Sequence, residues 1–235
     1  MENKFLRNKD LIPQNKLDEI TIVGLGGIGS FVCQLAATMG FRSFNLFDPD
    51  IMEEHNFGTT GYPEAYYDEN SDNKKIVMAE KLIADYGFST YHDVNKIDDF
   101  FTIESDASPI TIVCTDYMES RREVYSSWLQ VPDRKVLVDL RMEALEMLCI
   151  TTTKENDEYM KYWYPSSQVE DAPCTMKHTI FCASIIAGLG LNQLFNFLTG
   201  RYINNYIFMG LSLVNVAVHK EDDKLEKFNW NDYNL

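Results

Sequence analysis

The chain has 235 residues, 45% hydrophobic and 24% charged, with 12 Gly and 7 Pro, a globular balance that excludes extended disorder and fibrous repeats. Thirty-six acidic against 21 basic residues leave a formal charge of −15, which repels phosphate backbones and disfavours nucleic acid as a partner, although a local nucleotide site stays open. The five cysteines (Cys33, Cys114, Cys149, Cys174 and Cys182) form no C-x-x-C pair, so neither a disulfide framework nor a zinc site is expected.

Residues 1–10 are charged and carry no apolar run, so no secretory signal is expected and a cytoplasmic location follows. Residues 1–19 read as a short helix. Residues 19–24 (E-I-T-I-V-G) are a β-branched run ending in glycine, hence a buried strand. A helix over 30–39 closes at Gly40, and a second strand over 42–47 ends in Asp48-Pro49-Asp50. Residues 51–72 show no period, and an irregular stretch that long inside a domain is usually functional. Ser71 or Asp72 can cap a helix with Ile76, Ala79, Leu82, Ile83 and Tyr86 on its apolar face. A strand at 109–114 precedes a helix over 119–129, and strands follow at 135–139 and 145–152. Residues 154–173 are polar and Tyr-rich, a crossover loop. The long apolar helix over 178–198 contains Asn192, Gln193 and Asn196, so it reads as a buried or interface helix and no membrane is expected. Residues 206–218 are strand-like, a hairpin bent at Gly210.

Strand–helix alternation in the first half predicts an α/β fold: a Rossmann-like, doubly wound, mostly parallel sheet with an antiparallel C-terminal extension. The reading is a single domain over 1–235. Residues 1–145 form its nucleotide-binding half; residues 146–235 supply the crossover loop, interface helix and C-terminal strands.

Gly24, Gly26, Gly27 and Gly29 form a G-x-G-x-x-G run between a predicted strand and a predicted helix. Glycines there let backbone approach phosphate oxygens, and the helix N-terminus supplies N–H donors; NAD and ATP are not separated by this alone. A tight turn without ligand is the plainer alternative. Asp48, nineteen residues after Gly29, stands where a carboxylate meets ribose hydroxyls. Asp50 follows two positions later, and two carboxylates at one strand tip suit a ribose contact plus a magnesium-associated one.

The string V-G-L-G-G-I-G-S, then F-D-P-D, then Asn56, Lys75 and C-T-D at 114–116 resembles the ThiF/MoeB superfamily of adenylyltransferases, relatives of the ubiquitin-activating enzymes. The likeness covers residues 17–145 well and the remainder loosely. It implies that Asp48 holds ribose, that Asn56 and Lys75 contact ATP phosphates, and that Asp116 lies beside magnesium and the α-phosphate. Lys74 competes with Lys75 for that role, and Asp116 could instead be a helix cap. His55 could touch phosphate or be idle.

One departure from the family pattern stands out. Its phosphate-binding arginine, three residues after the asparagine, is Thr59 here, so Arg7, Arg121 or Arg122 would have to substitute. Arg7 lies in a segment that in relatives reaches a partner subunit's active site. Arg141 could meet a substrate carboxylate, and tyrosines 159–164 could line a peptide groove or pack the loop. Cys174, in A-P-C-T-M-K-H-T, resembles the segment around the thioester cysteine of ubiquitin-activating enzymes, with Lys177 and His178 at hand to lower its pKa. The other four cysteines read as core thiols.

The resemblance implies ATP and Mg2+ as cofactors and adenylation of the C-terminal carboxylate of a small ubiquitin-like or sulfur-carrier protein, with possible transfer to Cys174 as a thioester. It also implies a homodimer through the apolar helix. Rival readings are a peptide or modified-tRNA carboxylate as substrate and a non-catalytic scaffold subunit, which Thr59 would favour. A nicotinamide-dependent dehydrogenase is disfavoured by the second aspartate and the Asn–Lys–Asp series.

Overall fold

The computed structural model describes residues 5, 7–8, 10–17, 19–87, 93–168 and 179–211, with the backbone of 215–218. The expected N-terminal helix is, among the described residues, only a 3-10 turn at Gln14–Lys16 behind Pro13. Pro13 is extended, and proline disfavours helical geometry in the residue before it.

The strands are β1 (Glu19–Val23), β2 (Ser43–Phe47), β3 (Asp93–Ile97), β4 (Ile110–Val113), β5 (Val136–Glu143), β6 (Glu146–Thr153), β7 (Tyr206–Gly210) and β8 (Asn215–Val218). The helices are α1 (Gly27–Met39), α2 (Lys75–Tyr86), α3 (Met118–Gln130) and α4 (Ile180–Leu198). All eight strands share one sheet in the order β3-β2-β1-β4-β5-β6-β7-β8. The pairs from β3 to β5 are parallel and those from β5 to β8 antiparallel, as the alternation predicts. β7 and β8 are the expected hairpin at Gly210.

The sequence reading did not include β3. Its residues D-V-N-K-I lack an apolar run because it is an edge strand, and polar edge residues discourage further pairing. Neither Ser71 nor Asp72 caps α2; the N-cap position is Lys74, with no side-chain cap. Ser71 Oγ instead accepts the Asn73 N–H at 3.4 Å, so its oxygen serves the preceding turn.

Period-2 alternation divides the strands between two cores. Ile20, Ile22, Phe44, Leu46, Val136, Val138 and Leu140 meet α1, α2 and α4 on one face. Val23, Phe47, Val113, Leu137 and Ile150 meet α3 on the other, through Val124, Tyr125 and the fully buried Trp128. Trp128 Nε1 donates to the Pro109 carbonyl at 3.2 Å, so its polar edge is satisfied. Truncating such a side chain costs roughly 3–5 kcal/mol.

Helix α4 is long and apolar enough to cross a membrane by length and composition, yet Cys182, Ala183, Ile186, Ala187 and Leu191 are buried in the first core. Ile180, Phe181 and Ile185 are exposed.

The winding reverses between β1 and β4, whose tips are joined by the Cys114 N–H donating to the Val23 carbonyl at 2.7 Å. Open α/β sheets bind ligands at such a crevice, beyond the carboxyl ends of the strands.

Candidate functional site

Gly24 leaves β1 with φ +87°, and a Cβ there would lie 2.8 Å from the Cys114 carbonyl carbon. A Cβ on Gly29 would lie 1.9 Å from the Gly24 carbonyl oxygen, so the turn and the start of α1 interlock only without side chains. Gly26 is the opposite case: a Cβ there would meet nothing within 4 Å. Gly26 is the N-cap of α1 and no side chain caps it, which leaves the positive end of the helix open to an anion.

Residues 57–62 are fastened over this turn. Ser30 Oγ donates to the Gly27 carbonyl and accepts the Gly61 N–H, both at 2.8 Å. The Tyr62 hydroxyl donates to the Leu25 carbonyl at 2.8 Å, and the Thr59 carbonyl lies 3.0 Å from where a Gly27 Cβ would stand. Part of the unpatterned stretch therefore walls the glycine turn.

Asp48, at the tip of β2, is buried and accepts two backbone N–H groups, from Leu25 at 2.6 Å and Asp50 at 2.8 Å. Burial pushes its carboxyl up; Lys75 and the two N–H donors pull the other way without cancelling it. Lys75 Nζ lies 2.7 Å from Asp50, and its side chain is only 13% exposed against 61% for Asp50. Lys75 is therefore largely buried although it opens α2. Lys74, one residue earlier, pairs instead with Asp98. Asp50 faces Lys75 and is not a free second carboxylate.

Asn56 closes a 3-10 turn at Glu54–Asn56: its Oδ1 accepts the Glu53 N–H at 3.0 Å, so its oxygen is committed locally. Thr59 Oγ1 donates to the Asn56 carbonyl at 3.1 Å. His55 is exposed, its Nδ1 3.3 Å from the Glu53 carboxylate.

Asp116 follows β4 across the crevice from Gly24 and is exposed. It is not a helix cap: the N-cap of α3 is Tyr117, without a side-chain cap. Of the candidate arginines, Arg7 is exposed. Arg121 is buried and paired with Asp139, donating also to the Leu140 carbonyl at 3.1 Å. Arg141 likewise donates to Asp139, at 2.7 and 3.0 Å, and to the Tyr162 carbonyl at 3.0 Å. Both guanidinium groups are buried and paired with Asp139 in the interior, so neither is presented to a substrate or phosphate. Tyr159 is buried and donates to Asp139 at 2.9 Å, so it packs the loop rather than lining a groove. Arg122 is exposed, stacked over Trp163 at 5.1 Å.

The structure thus brings Gly24, Gly26, Gly27, Gly29, Asp48, Asp50 and Lys75 into one site, with Asp116 on the opposite lip. A ThiF family model matches residues 9–220. The chain belongs to the ThiF family. Comparison with curated protein sequences finds no match. The fold resembles PaaA (TM-score 0.68, 17% identity, 88% of this chain and 65% of that one). It also resembles E. coli MccB solved with ATP (TM-score 0.67, 16% identity, 92% of this chain and 71% of that one). A third is E. coli MccB with AMPCPP and MccA (TM-score 0.68, 17% identity, 92% and 71%). The chain spans less than two thirds of the length of the PaaA structure.

In this ThiF chain, Cys33, Cys114, Cys149 and Cys182 are buried, in line with their reading as core thiols. Burial pushes the first two thiols well up and Cys149 to about 12, which keeps them protonated and inert. Cys174, Lys177 and His178 lie outside the described residues. Among the described residues no group of three or more His, Cys, Asp and Glu could hold a metal. A magnesium ion carried on nucleotide phosphates needs only one or two carboxylates, and Asp116, exposed and without a hydrogen bond among the described residues, fits that demand.

Sequence reasoning missed Ser30 and Tyr62 as organisers of the glycine turn and Asp139 as the partner of the buried arginines. The serine directly after the glycine run was a usable signal. Tyr62 had none, because its partner Leu25 is 37 residues away, and the Arg121–Asp139 pair spans 18 residues.

Proposed function

We propose that this ThiF-family chain is an ATP-dependent adenylyltransferase acting on a C-terminal carboxylate. The observation that carries the reading is the placement at one glycine turn of Asp48, which accepts the Leu25 and Asp50 N–H groups, of Lys75, paired with that Asp50, and of the Cys114–Thr115 tip that packs on Gly24 and leads into Asp116. Family membership supports the same chemistry. Asp48 keeps lone pairs beyond its two backbone contacts and can accept ribose hydroxyls. The N-terminus of α1 meets the phosphates. Lys75 exchanges Asp50 for phosphoryl oxygens and neutralises charge as it builds. Asp116 would hold the nucleotide's Mg2+, which supplies Lewis-acid stabilisation of the phosphates when bound. Asn56 offers its free amide hydrogens to the same phosphates. The attacking carboxylate oxygen bonds to the α-phosphorus as the bond to the bridging oxygen of the β-phosphate breaks, and pyrophosphate leaves with that electron pair.

The substrate class we propose is a small ubiquitin-like or sulfur-carrier protein presented by its C-terminus, with Cys174 taking the acyl group as a thioester. Fold likeness to MccB, described as a microcin C7 biosynthetic enzyme and solved with N-formylated MccA, supports a second reading with a peptide terminus as substrate. We also propose a homodimer through the exposed Phe181 and Ile185 of α4, which light scattering of wild type and of F181E/I185E would reveal as a dimer and a monomer. The functional test is incubation with ATP and candidate small proteins ending in glycine-rich tails. AMP release dependent on the tail supports the reading, and ATP left intact with every candidate counts against it. Loss of a reductant-sensitive adduct in C174A, with adenylation retained, would assign the second step.

A further inference from the structure

Beside Asp116 lies an arrangement that the nucleotide reading does not use. Residues 159–168 are laced to the start of α3. Trp163 Nε1 donates to the Met118 carbonyl at 2.8 Å, the Met118 N–H donates to Ser166 Oγ at 3.1 Å, and the Ser166 hydroxyl donates to Glu119. On this ledge the Arg122 guanidinium lies over the Trp163 ring, with Tyr117 67% exposed just before the helix.

Arg122 has no hydrogen bond or ion pair among the described residues. The acid one helical turn before it, Glu119, is committed to Ser166, and the position one turn after it is Ser126. In a chain of net charge −15, an arginine six residues after Asp116 with no carboxylate partner among the described residues is conspicuous. Contact with the indole holds the guanidinium on the ledge while its N–H groups meet no acceptor among the described residues, and that fork of donors matches a carboxylate.

The nucleotide is not the fitting anion. Its phosphates are met on the α1 side, at the glycine turn and Lys75, whereas α3 belongs to the core on the other face of the sheet. Asp116 stands two residues before α3, so a terminal carboxylate brought to an α-phosphate there would carry its preceding residues past the start of that helix. Resting on the adenylation reading for where that terminus sits, we propose that Arg122 stacked on Trp163 is a subsite for an acidic side chain in the last few residues of the substrate's C-terminal tail.

The test uses synthetic octapeptide pools, identical except that positions three to six from the C-terminus carry Asp/Glu, Asn/Gln or Lys/Arg. Retention on immobilised full-length protein is read by mass spectrometry, and pyrophosphate exchange and ATP binding are measured in parallel. Wild type should retain the acidic pool about five- to tenfold over the neutral one, the size of one partly exposed charge-assisted pair. R122E should invert the order, whereas R122K and W163L should weaken it without inverting it. Equal retention of all pools by wild type, none included, overturns the proposal. So does an unchanged order in R122E, or an R122E defect confined to ATP binding, which would give the arginine to the nucleotide. Acid selectivity without any pyrophosphate exchange would keep the subsite and remove the adenylation reading.

Discussion

Asp48 Oδ2 stands 2.6 Å from the backbone nitrogen of Leu25, so the acid at the tip of β2 fixes the shape of the glycine turn that follows β1. The same carboxylate is proposed to hold ribose. Structure and binding are therefore coupled in one side chain.

Asp48→Ala strands two N–H donors, and a buried unpaired donor costs about 1–3 kcal/mol. Urea unfolding should show a loss of that order and calorimetry a loss of ATP binding. Asp48→Asn keeps one acceptor oxygen and should lose less stability. Equal stability of wild type and Asp48→Ala would mean that the turn holds itself.

The ion pair of Lys75 with Asp50 competes with any phosphate for the same ammonium. Removing the competitor with Asp50→Asn should tighten ATP binding about two- to fivefold, the scale of a partly exposed pair. Weaker binding in Asp50→Asn would instead assign Asp50 a direct role on the ligand or its metal.

Two glycines separated by three positions should respond in opposite ways. Gly29→Ala places a methyl against the Gly24 carbonyl and should destabilise by about 3 kcal/mol or more, seen as a lowered Tm. Gly26→Ala should fold normally, since its Cβ meets no protein atom within 4 Å, yet weaken ATP binding by filling the open face. A normal Kd for ATP in folded Gly26→Ala would move the phosphates elsewhere.

Much of this was legible in the sequence, because the glycine run, the F-D-P-D tip and the C-T-D tip are local strings that end strands. Lys75 was readable from its place at the start of an apolar helix. The edge strand β3 was not, since a solvated edge carries no hydrophobic run. Nor was the role of Arg121, because an arginine next to a second arginine on a helix gives no sign of which one is buried; Asp139, on the inward face of β5, decides it. A substrate contact was open to Arg141 in the sequence because the strand face it shares with Asp139, two residues away, is revealed as closed only by packing.

Asp139 gives the fold an acid limit. Burial alone would raise its carboxyl, but Arg121 and Arg141 outweigh burial and hold it below its ordinary value of 3.8. A depressed carboxyl stabilises the fold fully above its unfolded pKa, and that contribution is lost as pH falls through the folded one. Wild-type stability should therefore drop below about pH 4. Asp139→Asn should lack this part of the acid limb and be less stable at neutral pH by about 3–5 kcal/mol, because two buried guanidinium groups lose their charge partner. Unfolding free energies at several pH values decide this; a variant as stable as wild type at pH 7 would refute the network's role.

The central claim is that adenylation occurs at the glycine turn with Lys75 and Asp116 on the transferring phosphate. Exchange of labelled pyrophosphate into ATP, in the presence of a tail that supports AMP release, tests it most directly. Wild type should catalyse exchange, and Lys75→Ala and Asp116→Ala should each lower it by roughly a hundredfold or more, the scale of one preorganised electrostatic contact. Exchange at the wild-type rate in both variants, with both folded, would contradict the account.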